Sequence, residues 1–250
     1  MNNIPRPEHP NPQFQRREWI NLNGKWNFKI DKSKSGLAKK YYEPQTKFDR
    51  TINVPFCPES VLSGIEYKDF MDAVWYSREF VIPDKYADLK TILHFGAVDY
   101  KATVYINGKE VGSHKGGYIS FQFDITDYLT DGTNVVTVYA EDDTRSPVQP
   151  RGKQSEEYYS HDCDYTRTTG IWQTVWLEPV SETHIKNIRL VPDIDSSSIH
   201  LKTDTAGDAK IFALIKKGEK IIFDGEIKSD ENIAISSLRL WSPEDPFLYD

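Results

Sequence analysis

The chain is poor in cysteine. It has two, Cys57 and Cys163, far apart in sequence and in no CxxC pair. That argues against a disulfide framework or a zinc site, both of which need clustered ligands. Long apolar runs are missing as well. No segment approaches the length of a membrane-spanning helix, and the start, MNNIPRPEHPNPQF, lacks the basic-then-apolar order of a secretory leader. The expectation is a soluble, cytoplasmic chain with no membrane partner. No basic run stands out, and a net charge of −7 with a pI near 5.5 leaves no electrostatic footprint for nucleic acid. GxSxG, HExxH, GxGxxG and P-loop patterns are all absent, so the usual nucleophile, metal and phosphate motifs are missing and no cofactor is expected. Carboxylates are plentiful, but no pair stands out as acid and nucleophile, and no catalytic residue is assigned.

The residues that are there describe a folded β protein. Of 250 residues, 38% are hydrophobic and 13% aromatic, too apolar for a disordered chain and enough for one large or two ordinary domains. Helical periodicity is weak throughout, whereas strand and turn signals recur. Ile119, Phe121, Phe123 and Ile125 alternate with polar residues, which predicts one buried and one wet face. Ala102, Val104 and Ile106 share a face ahead of Asn107-Gly108, a pair that tolerates positive φ and predicts a tight hairpin into Lys109-Glu110-Val111. After the Asp131-Gly132 turn, the β-branched run NVVTVYA predicts a strand covered on both sides.

Further strands are expected at Trp26–Ile30, Trp75–Ile82 and Thr91–Phe95. Val54-Pro55 and Phe56-Cys57-Pro58 predict an extended loop, because each proline removes a ladder donor. Only Ser60–Ile65 and Lys85–Leu89 suit a helical turn. Trp26, Trp75, Trp172 and Trp176 are read as core residues. Many short antiparallel strands imply a sandwich or jelly roll. Composition shifts near Ser181: beyond it come short, even strands, with turns at Lys217-Gly218-Glu219 and Asp224-Gly225 and few aromatics before Trp241. The reading is all-β, with a jelly-roll (galactose-binding-like) β-sandwich over residues 1–180. An immunoglobulin-like β-sandwich follows over residues 181–250. Its length of about 70 residues is short of the roughly 100 that such a sandwich needs, so it is read as incomplete, with an edge or face left uncovered.

Six segments in register carry a family resemblance: LNGKWNF (Leu22–Phe28), NVPFCPES (Asn53–Ser60), WYSREFVIP (Trp75–Pro83), VYINGKEVGSHKGGYISFQFDIT (Val104–Thr126), TTGIWQTVWLE (Thr168–Glu178) and LWSPEDPFLYD (Leu240–Asp250). The chain resembles the amino-terminal part of a family 2 glycoside hydrolase, in which a jelly roll and an immunoglobulin-like domain precede a catalytic (β/α)8 barrel. The resemblance implies a retaining exo-glycosidase acting on terminal β-linked sugars, with its two catalytic glutamates in a barrel that this chain does not contain. The barrel and a carbohydrate are the implied partners, together with homo-oligomerisation.

In that family a loop aspartate six residues before the Gly-Ile of this motif reaches into the sugar pocket, and Asp164 stands at that spacing before Gly170-Ile171. A carboxylate accepts two hydroxyl hydrogen bonds at once; alternatively, Asp164 is a turn aspartate bonded to its own backbone. Arg151-Gly152-Lys153-Gln154 matches an RGKQ tetrapeptide of some family members, so Arg151 and Gln154 form either a sugar-donating rim or a solvated loop. Arg167 is expected either to brace Asp164 or to be a surface charge. His161-Asp162-Cys163-Asp164 contains ligand-type residues, but neighbours on an extended chain point opposite ways, so no metal is expected. Cys57 stands near where some family β-galactosidases place a sugar-contacting asparagine after Val-Pro. A thiol hydrogen-bonds poorly, which weakens a specific β-galactosidase assignment and leaves β-glucuronidase, β-mannosidase and others open. The competing class is a free-standing carbohydrate-binding module.

Overall fold

The structure, a computed structural model, describes residues 4–250. It contains two compact units, one ending at Pro179 and the other running Val180–Asp250. The first holds β1 (Ile20–Asn21), β2 (Gly24–Ile30), β3 (Arg50–Val54), β4 (Ala73–Val81), β5 (Lys90–Phe95), β6 (Val98–Asp99), β7 (Lys101–Ile106), β8 (Lys109–Lys115), β9 (Phe121–Asp124), β10 (Thr133–Glu141), β11 (Gly170–Ile171) and β12 (Val175–Val180).

A six-stranded antiparallel sheet, β3-β2-β4-β10-β7-β8, faces a four-stranded sheet, β1-β12-β5-β9. Their inner faces share one core. Trp26, Phe28, Val74, Tyr76, Val104 and Val138 come from the first sheet; Leu93, Phe95, Val175 and Leu177 come from the second. Complete burial of side chains this large is worth about 1.5–3 kcal/mol each. The strands β6 and β11 pair separately, Gly170 opposite Asp99, beside the long loop that follows β10.

Both outer faces are covered. The period of two that sends Val74 and Tyr76 inward sends Ala73 and Trp75 outward, where Trp75 stacks on Tyr139 at 4.5 Å and on Tyr105 at 6.3 Å. Tyr41, Tyr42 and Phe48, from the segment between β2 and β3, close over these rings. Asp31 ties that segment down: its carboxylate accepts from Trp75 Nε1 at 3.1 Å and from the Gly36 amide at 2.7 Å. On the other sheet, Glu178 of β12 is buried. Arg16 Nε donates to it at 2.7 Å and Trp176 Nε1 at 3.0 Å. His94 Nε2 lies 3.3 Å and His9 Nε2 3.6 Å from the same carboxylate, and the His94 ring stacks on Trp176. Residues 9 and 16 thereby fasten the amino-terminal segment to the last strand of the unit.

The Asn107-Gly108 hairpin forms as the dipeptide predicts, with φ of +51° and +81°. The β10 run is covered on both sides: Val136, Val138 and Ala140 enter the main core, Tyr139 the outer cluster. Trp26, Trp75 and Trp176 are buried and Trp172 is half-buried.

Four local expectations need correction. Val54 is the last residue of a strand, Arg50–Val54, and the loop begins only at Pro55; the strand lies at the sheet edge, where the following Pro55 costs no central ladder bond. Ile119 is exposed in the turn before β9, so its alternation with Phe121 was accidental. The two expected helical turns are single 3-10 turns, Val61–Ser63 and Asp84–Tyr86, and a third lies at Thr126–Tyr128, where none is expected. Asp224-Gly225 lies inside a strand of the second unit instead of turning.

That unit contains β13 (His184–Asp193), β14 (Ser198–Ala206), β15 (Ile211–Lys217), β16 (Lys220–Ile227) and β17 (Asp230–Ala234). A three-stranded sheet, β13-β14-β17, and the β15-β16 hairpin contribute Leu201, Ile211, Ile227 and Ile233 to a small core. An apolar groove of about 690 Å³ stays open among them, with Phe212, Trp241 and Leu248 exposed.

Candidate functional site

All four sequence-predicted site residues lie in the loop between β10 and β11, residues 142–169. A loop this long must satisfy its backbone by means other than a ladder. Its tip is a tight turn in which the His161 amide donates to the Asp164 carbonyl at 3.1 Å and the Asp164 amide donates back at 2.7 Å. Asp162 takes a φ of +48° inside it. The side chain of Asp164 is 24% exposed; His161 Nε2 lies 3.9 Å from one oxygen and Cys163 Sγ 3.8 Å from the other. Among the described residues no backbone amide bonds this carboxylate, unlike a self-capping turn aspartate. Most of its acceptor capacity is open to a hydroxyl ligand.

Arg151 is also near solvent, its guanidinium paired with Glu156. Gln154 and Arg167 are elsewhere. Gln154 is fully buried and bonded at both ends of its amide: Nε2 donates to Asp99 Oδ2 at 2.7 Å, and Oε1 accepts from the Thr168 amide at 2.7 Å. It is a clamp across the base of the loop, not a rim. Arg167, 3% exposed, is neither a surface charge nor a brace for Asp164. Its guanidinium donates to the carbonyls of Lys68, Ser155, Glu157 and Tyr158 and lies 4.4 Å from the Phe70 ring. A planar donor with five N–H groups suits a buried nest of carbonyls.

Three carboxylates that sequence reasoning did not single out grip the same loop. Glu59 accepts the Thr169 amide at 3.1 and 3.2 Å, and Asp142 accepts Thr169 Oγ1 at 3.2 Å and Gln149 Nε2 at 2.7 Å. Asp99 holds Gln154 with one oxygen, while its Oδ1 is buried without a partner. The available signal was a carboxylate embedded among apolar residues, as in GAVDY and VYAED. Burial pushes Glu59 and Asp99 up to about 7, the charge of Asp142 adding to both, and burial pushes Asp142 up to about 6.

An aromatic flank adjoins the loop. Tyr118 Oη and Tyr165 Oη are 3.0 Å apart, the Tyr118 ring meets Trp172 edge-on at 5.8 Å, and both tyrosines are exposed. Tyr158 and Tyr159 add further exposed rings. Phenols of this kind offer an apolar face and a polar tip, which suits sugar rings. No group of three or more His, Cys, Asp or Glu side chains suited to a metal ion occurs among the described residues.

The sequence matches the pattern of "Glycosyl hydrolases family 2, sugar binding domain" over residues 20–180. A β-galactosidase of Thermoanaerobacter pseudethanolicus is 30% identical over 200 residues, covering 73% of this chain and 26% of the relative. A β-glucuronidase of Paenibacillus borealis is 25% identical over 252 residues, covering 93% and 41% respectively. The chain thus spans between about a quarter and two-fifths of these relatives' length. Among solved structures, a β-glucuronidase of an uncultured Clostridium sp. superposes with a TM-score of 0.75 at 26% identity, covering 93% of this chain and 41% of that one. Ruminococcus gnavus β-glucuronidase, solved in complex with D-glucaro 1,5-lactone, shares the fold at a TM-score of 0.77 and 20% identity, over 94% and 42%. The pattern extends from β1 to the end of β12 and includes the loop that presents Asp164, and the chain accordingly belongs to glycosyl hydrolase family 2 through its sugar-binding domain.

Proposed function

We propose that this chain is the non-catalytic amino-terminal part of a retaining exo-glycosidase for terminal β-linked sugars. Its 142–169 loop completes the pocket of a (β/α)8 barrel on the same polypeptide. The barrel supplies an acid/base and a nucleophile, two carboxylates about 5 Å apart. Asp164 binds hydroxyls of the terminal sugar, and binding energy at that remote contact orients the scissile bond. The observation that carries this reading is the Asp164 carboxylate, held on a hydrogen-bonded turn near solvent with most of its acceptor positions free. The exposed tyrosines beside the loop favour a second reading, a carbohydrate-binding module that acts without a barrel.

Reading the gene past the codon for Asp250 and expressing the whole frame tests the proposal. Hydrolysis of aryl β-galactosides or β-glucuronides with retained anomeric configuration supports it. So does a loss of about 10- to 100-fold in kcat/KM for Asp164→Ala, the equivalent of one charge-assisted hydrogen bond. A stop codon directly after Asp250 refutes it, and glycan binding by the 250-residue chain then selects the module.

A further inference from the structure

The Asp164 loop is fastened at three points, Gln149 on Asp142, Gln154 on Asp99, and Thr169 on Glu59 and Asp142, and the Thr168 amide closes the loop onto Gln154. These come from three separate places: the loop after β3, the end of β6 and the residue after β10. All three are at most 4% exposed. The cation facing them is Arg167, whose two terminal nitrogens are committed to four carbonyls while its Nε is buried without a hydrogen-bond partner. Three buried negative charges beside one cation carry a large desolvation cost, and protonation relieves it. Asp99 marks where that relief is greatest, since its Oδ1 is buried with no donor and a Cβ on Gly117 would sit 2.2 Å from it.

We propose that protons held by Glu59, Asp99 and Asp142 keep the 142–169 loop in place, making these carboxylates a pH-responsive positioning device for Asp164. The loop is ordered on the acid side of neutrality and loosens above it. The sign follows from linkage. Carboxyls raised by burial stabilise the closed loop while protonated, and that contribution disappears as pH rises through about 6 to 7. Three titratable neighbours, Cys57, Tyr76 and Tyr165, stay outside this window. Beside Glu59, burial pushes the Cys57 thiol to about 12 and raises the Tyr76 phenol well above its usual value; burial raises Tyr165, near Asp99, as well. The charge of Asp143 beside Asp142 raises Asp142 further. His161, on the loop, bonds Ser155 and faces Asp164, and a variant separates its contribution.

Hydrogen exchange of the 250-residue chain, corrected for intrinsic rates, reads the device directly. Amides over 146–166 are expected to be at least about 30-fold less protected at pH 8 than at pH 5.5. One carboxyl near 7 in the closed loop and at its ordinary value in the open one loses about 1.5 pH units of linkage between pH 5.5 and 7, and the loss is complete by pH 8. Strands β4 and β10 serve as internal reference. Asp99→Asn and Glu59→Gln, which mimic the protonated groups, flatten the dependence, while His161→Gln leaves it as in the parent. Equal loop protection at both pH values overturns the proposal, as does a dependence that only His161→Gln removes. If Asp99→Asn does not fold, Glu59→Gln decides. The inference rests on the sugar-contact reading only for the importance of Asp164; the readout uses neither sugar nor activity, so either idea can fail alone.

Discussion

Replacing Glu178 by Gln isolates one buried charge. Burial on its own would raise this carboxyl, but the adjacent His94 imidazole and hydrogen bonds from Trp176 and Arg16 outweigh it and bring the group from its ordinary 4.5 down to about 2. At about 1.4 kcal/mol per pH unit, that drop stabilises the folded ionised form by about 3 kcal/mol at pH 7. A lowered carboxyl contributes above its unfolded value and loses that contribution as pH falls. About 1.4 kcal/mol is left at pH 3 and little at pH 2. The carboxylates under the Asp164 loop slope the other way, so total stability is a poor readout. The difference between parent and variant cancels them. Urea unfolding of both proteins, followed by tryptophan fluorescence, is expected to separate them by about 2–3 kcal/mol at pH 7 and by about half that at pH 3. A separation independent of pH, or one below about 0.5 kcal/mol at pH 7, refutes the assigned role.

Two further outcomes are expected. A Cβ on Gly36 would lie 2.4 Å from the Trp75 indole nitrogen, inside the Asp31 clamp, so Gly36→Ala should cost about 1–3 kcal/mol and visibly lower the melting temperature. Asp164→Asn should leave stability within about 0.5 kcal/mol of the parent, because its carboxylate has no contact closer than 3.8 Å to the two side chains it faces; calorimetry showing a larger loss would mean the residue is structural.

Much of the sandwich was legible because its signals are local. The Asn107-Gly108 turn needs only two residues to specify it, and the β10 run carries its two-sided burial in its own composition. What escaped depended on partners distant in sequence. Gln154 looks like any loop amide until Asp99, 55 residues away, takes one end of it. Arg167 appears as a surface cation until the Lys68 carbonyl, 99 residues away, is found beneath it. Ile119 failed for the opposite reason: a perfect alternation was present, but the Gly116-Gly117 turn had not yet delivered the chain to the sheet.

The pairing of β1 with β12 has a mechanical consequence. These first and last strands of the sandwich run antiparallel as neighbours, Ile20 opposite Leu177, so the incoming and outgoing backbone leave the sheet at the same end. Tension between them would peel this ladder open one bond at a time and not shear it as a block. The anchorage of His9 and Arg16 on Glu178 lies across that seam, and under load it acts as a rivet that must give way before the seam can unzip.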